Sequence, residues 1–406
     1  MATFFLIIIY LAFISLGLPD SLLGSAWPVM RYSLGAPLET AGMLFMVIAG
    51  GTIVSSLISG AMLRRFGTGK VTLVSCIMTA GALAGFAISP SLIWLILCGI
   101  PLGLGAGAVD AGLNNYVAAH YKAHHMSWLH CFWGVGATLG PVIMAQFITG
   151  QNLWRQGYLA VAGIQGLLII ILFVSLPLWD RVASRSQANS SEEGERTGNN
   201  IEADESLTPS TKPIQIRGVK LAMVTFLLYC GVEATIGLWG SSFLVGLKKL
   251  TAAEAASWVS IYYGGITVGR FITGFITFKV SNRNLILGGQ VTALIGAILL
   301  VLPLPAAFSL AALMIIGLGL APIFPCMLHE TPVRFGNKHA QTIMGYQMAL
   351  AYTGGTFMPP LLGMLASSLS ISIFPFYILI CAAAMLIFSE KLNLSLGTRH
   401  ARRKAA

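Results

Sequence analysis

Charge is what this sequence has least of. Only 9% of its 406 residues are Asp, Glu, Lys or Arg, where a soluble domain carries about 25%. So few charges cannot cover a surface that faces water, and the mean hydropathy is +0.80, so a soluble enzyme is excluded. Paired cysteines are missing too: Cys76, Cys98, Cys131, Cys230, Cys326 and Cys381 each stand alone in an apolar segment. They read as small buried hydrophobes, and neither a disulfide frame nor a metal site is expected. There is no clustered basic face on a soluble domain, which removes nucleic acid as a partner. No Walker loop occurs, so direct ATP drive has no support. The run Gly103-Leu104-Gly105-Ala106-Gly107 resembles part of a dinucleotide fingerprint, but no strand precedes it. Tight helix packing accounts for it, and no cofactor is expected.

What the sequence does have is long apolar runs. A helix needs about 20 mostly apolar residues to cross a bilayer. Twelve segments qualify, near 4–30, 39–62, 71–89, 91–118, 127–149, 156–178, 219–246, 255–278, 284–303, 306–328, 340–366 and 370–389. The first begins almost at Met1 with no basic stretch ahead of it, and is expected to be a retained span. If both termini are cytoplasmic, 20 of the 24 Lys and Arg residues fall on that side, leaving only Arg31, Arg155, Lys248 and Lys249 outside. The positive-inside bias therefore predicts a multi-pass protein of the cell (inner or plasma) membrane with both termini in the cytoplasm.

Residues 180–217 break the apolar pattern, with seven acidic and five basic residues among Ser, Asn and Thr. Such a composition cannot repay the entropy of ordering, so a flexible cytoplasmic linker is expected there. The chain then divides into a six-helix bundle over 1–179, the linker over 180–217, a second six-helix bundle over 218–390, and a basic cytoplasmic tail over 391–406. The two bundles read as repeats offset by about 214 residues. Gly103-Leu104-Gly105 meets Gly317-Leu318-Gly319, Gly60 and Arg65 meet Gly274 and Lys279, and Gly17 meets Gly231. Asp20 falls within one residue of Glu233. Parallel six-span repeats with a substrate site between them are a known transporter layout.

The loop Gly60-Ala61-Met62-Leu63-Arg64-Arg65-Phe66-Gly67 resembles the signature loop of the major facilitator superfamily, departing at Arg64, where that family usually has an acidic residue. Gly60, Arg65, Gly67 and, in the second half, Gly274 are the corresponding conformational-loop positions. Within the superfamily the sequence is similar to fucose-permease-type sugar:proton symporters. The likeness lies in Leu18-Pro19-Asp20, in the stretch from Gly103 to Asn114, in Leu129-His130 with Gly134-Val135-Gly136-Ala137, and in Gly231-Val232-Glu233 with Trp239. The resemblance implies an all-α fold of twelve transmembrane helices in two pseudo-symmetric bundles, and secondary active transport by alternating access. It also implies that acids at the places of Asp20 and Asp110 bear the transported proton, Asp110 replacing the longer Glu of the fucose permease.

Of fourteen acidic residues, seven lie in the linker and four (Glu39, Glu254, Glu330, Glu390) at helix ends, leaving Asp20, Asp110 and Glu233 inside apolar spans. Each costs about 2.5–3.5 kcal/mol there on insertion scales, so a role or a partner is expected. Burial disfavours the charged form of a carboxyl, and an acid that can be neutral in one state and charged in another suits proton coupling. Hydrogen bonding to a neighbouring helix is the alternative for each, and Glu233 could equally hold substrate hydroxyls. No Lys or Arg is expected at mid-depth, since Arg31 and Arg270 lie near span ends and could reach in only by snorkelling. That shortage argues against an anionic substrate and for a neutral polar or cationic one.

Sugars are held by planar side chains with amides and carboxylates around the hydroxyls. The candidate substrate contacts are Asn114, Asn115, His130, Trp133, Trp239, Tyr346, Gln347 and Tyr352, with Trp27, Trp128, Gln165, Tyr262, Tyr263 and Gln290 as further cavity candidates. Asn114 lies one helical turn after Asp110, on the same face. His130 could relay a proton. His120, His124 and His125 read as a solvated loop, with no metal site. The function expected is proton-coupled symport of a neutral sugar or related polar solute by a monomer in the bilayer. Proton-driven export of a drug or metabolite stays open because Gly136, Gly140 and Pro141 resemble an antiporter motif. Sodium coupling also stays open. A non-transporting receptor or scaffold would not need buried acids.

Overall fold

The computed structural model describes residues 2–121, 123–148, 153–196, 213–277 and 279–404. The first half contains α1 (Ala2–Asp20), α2 (Leu22–Ser33), α3 (Thr40–Phe66), α4 (Thr68–Ala87), α5 (Leu92–His120), α6 (Ala123–Phe147) and α7 (Trp154–Arg196). The second contains α8 (Val219–Gly246), α9 (Ala252–Ile276), α10 (Asn282–Val301), α11 (Ala306–Leu320), α12 (Ile323–Phe335), α13 (Asn337–Ser368) and α14 (Phe374–Lys404). All twelve expected spans are helical, and the first and tenth are each divided in two. Pro19 explains the first break. It has no N–H for the Ser15 carbonyl one turn back, and Nε2 of Gln165 on α7 donates to that carbonyl instead, at 2.8 Å. Gln165 thereby ties α7 to α1.

Among the described residues, ten spans are long and apolar enough to cross a membrane on their own. The other two are α9 and α13, whose polar residues (Ser257, Ser260, Thr267 and Arg270; Gln341, Gln347 and Thr353) lower their hydropathy. Two helices outrun their expected ends. α7 continues to Arg196, over a stretch rich in the helix formers Ala, Arg, Gln and Glu; of the expected linker, residues 197–212 lie outside the described residues. α14 runs on into the expected tail, where Leu392 is buried beside Val219, Ala222 and Ile343.

The repeat is physical as well as textual. A Cβ on Gly103 would run into the Ile48 carbonyl, and one on Gly317 into the Tyr262 carbonyl, each partner 214 residues on. Only glycine lets α5 lie this close on α3, and α11 on α9. This confirms helix packing as the reason for the glycine run.

The halves meet where α2 packs on α8 and α9, α3 on α13, and α6 on α9. The helix ends nearest residues 197–212 define a linker side, and the opposite ends a far side. On the far side the halves touch: Gly24 backs onto Gly237 and Leu238, Gly42 onto Pro360, and Ser367 lies near enough to Glu39 to lower its carboxyl pKa. On the linker side α1 packs on α5, α6 and α7 of its own half. Away from these far-side contacts, Asp20 at the end of α1 is exposed while Gly17, Leu18 and Pro19 are buried.

Candidate functional site

Asp20 is placed by the helix break, and its partner by close helix packing. Gly17 lies against the Trp133 carbonyl, so that a side chain there would drive α6 from α1. With α6 this close, Trp133 Nε1 donates to Asp20 Oδ2 at 2.8 Å. The other side of the indole belongs to the second half of the molecule. The Arg270 guanidinium lies over the ring, 5.3 Å from its centroid, within cation–π range, and Tyr263 meets the ring edge-on at 6.4 Å.

Arg270 corrects the expectation that no cation lies at mid-depth. Its Nη2 forms an ion pair with Glu233 Oε1 at 3.4 Å and donates to the Tyr229 hydroxyl at 3.3 Å. The two side chains are only 12% and 15% exposed. The physical reason is direction. Helical side chains lean toward the helix N-terminus, and α9 starts on the far side, so a long side chain from near its linker-side end points back into the membrane. Tyr262 donates to the Glu233 backbone carbonyl at 3.3 Å and meets Tyr263 at 5.1 Å. A continuous chain of contacts thus runs from Asp20 through Trp133 and Arg270 to Glu233, crossing between the halves. Neutral solutes lose their preference over anions on this ground, because the site does contain a cation.

Asp110 stands apart from that chain but within electrostatic range of Asp20. Asn114 Nδ2 donates to its Oδ1 at 2.9 Å, as the one-turn spacing predicts, while Asn114 Oδ1 is buried without a protein partner. Asp20 lies within electrostatic range of both Asp110 and Glu233, and Tyr352 of α13 within that of Asp110. The structure therefore links Asp20 to Trp133, Asp110 and Glu233, and Asp110 to Asn114 and Tyr352. His130 lies edge-on to Phe13 at 6.0 Å. The side chain of Asn115 falls outside the described residues.

Three expected substrate contacts lie elsewhere. Trp239 is fully buried and donates to the Pro359 carbonyl at 2.7 Å, tying α8 to α13. Gln347 is 1% exposed and accepts from the Thr331 hydroxyl at 2.9 Å. Tyr346 packs against the Val219 cluster at the linker-side end. Trp239 and Gln347 thus find polar partners inside the second bundle, which is what a buried indole and amide require. In the loop motif, Gly67 adopts φ +79°, a left-handed conformation that favours glycine. Gly60 and Gly274 have room around them. Among the described residues neither Arg64 nor Arg65 forms an ion pair; Arg65 lies over the Phe66 ring at 5.3 Å. Sequence reasoning missed Arg270 and Tyr229. The available signal was one acid and one base on consecutive spans, Glu233 and Arg270.

Comparison with known proteins adds the following. A family model described as the Major Facilitator Superfamily matches residues 9–359. Bypass of stop codon protein 6 of Saccharomyces cerevisiae is 24% identical over 408 residues, covering 94% of this chain and 80% of the relative. The glucose/mannose transporter GlcP of Bacillus subtilis is 21% identical, with 87% and 86% covered. The inward open conformation of the xylose transporter XylE from E. coli superposes with a TM-score of 0.73 at 14% identity, covering 96% of each chain.

Proposed function

The chain belongs to the major facilitator superfamily, and from that premise we propose that it moves a small hydroxylated solute of the sugar type together with protons, by alternating access. A member of this family is a multi-pass membrane transporter and not an enzyme. The observation that carries the finer reading is the Asp20–Trp133 contact. It sets an exposed carboxylate beside a planar ring, the pairing that proton coupling and sugar recognition would share. The names of the glucose/mannose and xylose transporters among its relatives and structural neighbours favour the same solute class.

In this reading Asp20 and Asp110 carry the protons. Asn114, bonded to Asp110, and Glu233 face the solute, with Trp133 and Tyr352 as its aromatic walls. The pairing of Asn114 with Asp110 ties solute binding to the charge on that acid. A monomer in the cell membrane with cytoplasmic termini, the side toward which the basic residues gather, completes the proposal. Gly136 and Gly140 lie against the backbone of α1, so helix packing accounts for the motif that had suggested export.

Purified protein in liposomes with an internal pH dye tests the reading. D-glucose, D-mannose and D-xylose are added singly, with and without sodium. Acidification that follows sugar, ignores sodium, and disappears in Asp20→Asn and Asp110→Asn is the expected result. If no sugar moves protons while an imposed proton gradient expels a lipophilic cation, the protein is an exporter instead.

A further inference from the structure

The Arg270 guanidinium has more donors than its neighbours among the described residues use. A guanidinium presents five N–H donors in a planar fork. Among the described residues, Arg270 hydrogen-bonds through Nη2 alone, at 3.4 Å to Glu233 Oε1 and 3.3 Å to the Tyr229 hydroxyl. Among the described residues its Nε and Nη1 have no hydrogen-bonding partner. Both contacts are longer than the usual range for such bonds, whereas a carboxylate that meets the fork squarely bonds in pairs at about 2.7–2.9 Å. Glu233 offers Arg270 one oxygen. Trp133 covers one face of the guanidinium, which leaves its edge for a ligand.

We propose that Arg270 is an anion subsite of the solute cavity, and that the solute carries a carboxylate beside its hydroxyls, as a sugar acid does. The carboxylate meets Nε and Nη1 edge-on, and Glu233 is the internal counter-ion that holds the guanidinium when no solute is bound. The inference rests on the reading of this cavity as the solute site and sharpens it. It also gives proton coupling an electrostatic purpose. Asp20 lies within electrostatic range of Asp110 and Glu233, and among the described residues Arg270 is the one cation paired with any of the three, so an anion is repelled unless protons neutralise acids around it. One proton entering with one monoanion moves no net charge, whereas a proton with a neutral sugar moves one.

Matched probes test this without a transport assay. Thermal melting of the full chain in detergent is followed while D-glucuronate or D-glucose, and D-gluconate or sorbitol, are titrated at one buffered pH. The acid of each pair is expected to half-saturate the wild-type protein at a concentration about tenfold or more below its uncharged counterpart, the scale of a charged hydrogen-bonded pair. Arg270→Lys keeps the charge but loses the fork, and should weaken the acid about tenfold. Glu233→Gln removes the internal competitor and should tighten acid binding, which a purely structural Arg270 would not allow. The double variant Glu233→Gln/Arg270→Gln removes both charges together, so the fold keeps its balance while the preference for the acid should vanish. Equal binding of acid and uncharged partner, no binding of either acid, or a preference that survives in the double variant overturns the proposal. If D-glucose binds and moves protons while the acids do not bind, the anion subsite falls and sugar symport stands. Acid binding through Arg270 with no proton movement would have the opposite meaning.

Discussion

Removing Glu233 while Arg270 stays should cost more stability than removing both. The two charges sit 3.4 Å apart with side chains 12% and 15% exposed. At an effective dielectric of about 20 their attraction is about 5 kcal/mol, much of it offset by the cost of taking both from water. Breaking a buried pair from one side leaves an uncompensated charge and costs about 3–5 kcal/mol. The partial exposure here places Glu233→Gln and Arg270→Gln near the lower end, about 3 kcal/mol each. The double variant leaves two neutral amides within reach of each other and of Tyr229, and should cost only about 1–2 kcal/mol. The coupling is then about 4 kcal/mol, above the 0.5–3 kcal/mol common for touching residues. Reversible unfolding in mixed micelles, followed by tryptophan fluorescence, measures all four corners of the cycle. Additivity within about 0.5 kcal/mol would refute the reasoning, since it would mean that the pair is screened as on an open surface.

Three further outcomes follow from the geometry. Gly103→Ala and Gly317→Ala each put a Cβ against a carbonyl on the neighbouring helix, so both should destabilise by about 1–3 kcal/mol and by similar amounts; a loss confined to one half would deny the physical repeat. Gln165→Leu leaves the Ser15 carbonyl without its donor and should cost about 1–3 kcal/mol. Faster hydrogen exchange around residues 18–25 would report the loosened break, and unchanged exchange there would count against it. At the far-side closure, the neighbouring Ser367 hydroxyl holds the Glu39 carboxyl below the usual carboxylate range. A depressed value stabilises the folded form above the ordinary value of about 4.3 and loses that contribution as pH falls through the depressed one. The melting difference between wild type and Glu39→Gln should therefore stay constant from neutral pH down to that range and shrink only below it; shrinkage nearer neutrality would contradict the assignment.

Much of the fold was legible from residues because the bilayer leaves few options. A long apolar run without charges has to be a helix whose backbone satisfies itself, so twelve spans and their order could be read directly. The ends of α7 and α14 were less legible, because past the apolar boundary the helix is carried by propensity and by contacts such as Leu392 on the Val219 cluster. Asp20, Asp110 and Glu233 could be found because an acid in such a run is expensive. Asn114 followed from its spacing to Asp110. Polar residues that serve the core, such as Trp239 and Gln347, look the same in sequence as those that face a cavity. Only their partners, the Pro359 carbonyl and the Thr331 hydroxyl, distinguish them.

The sequence by itself determined that this is a polytopic helical membrane protein built from two repeats, with three acids that need a reason to be there. Those are consequences of composition, period and cost, which act along the chain. The tertiary structure alone decided which acid has a cation beside it. Arg270 is near the end of its span in sequence, but its side chain leans back along α9 to Glu233 on α8 and lies over Trp133 on α6. That meeting of three helices depends on crossing and packing between the halves, and no pattern along one helix specifies it.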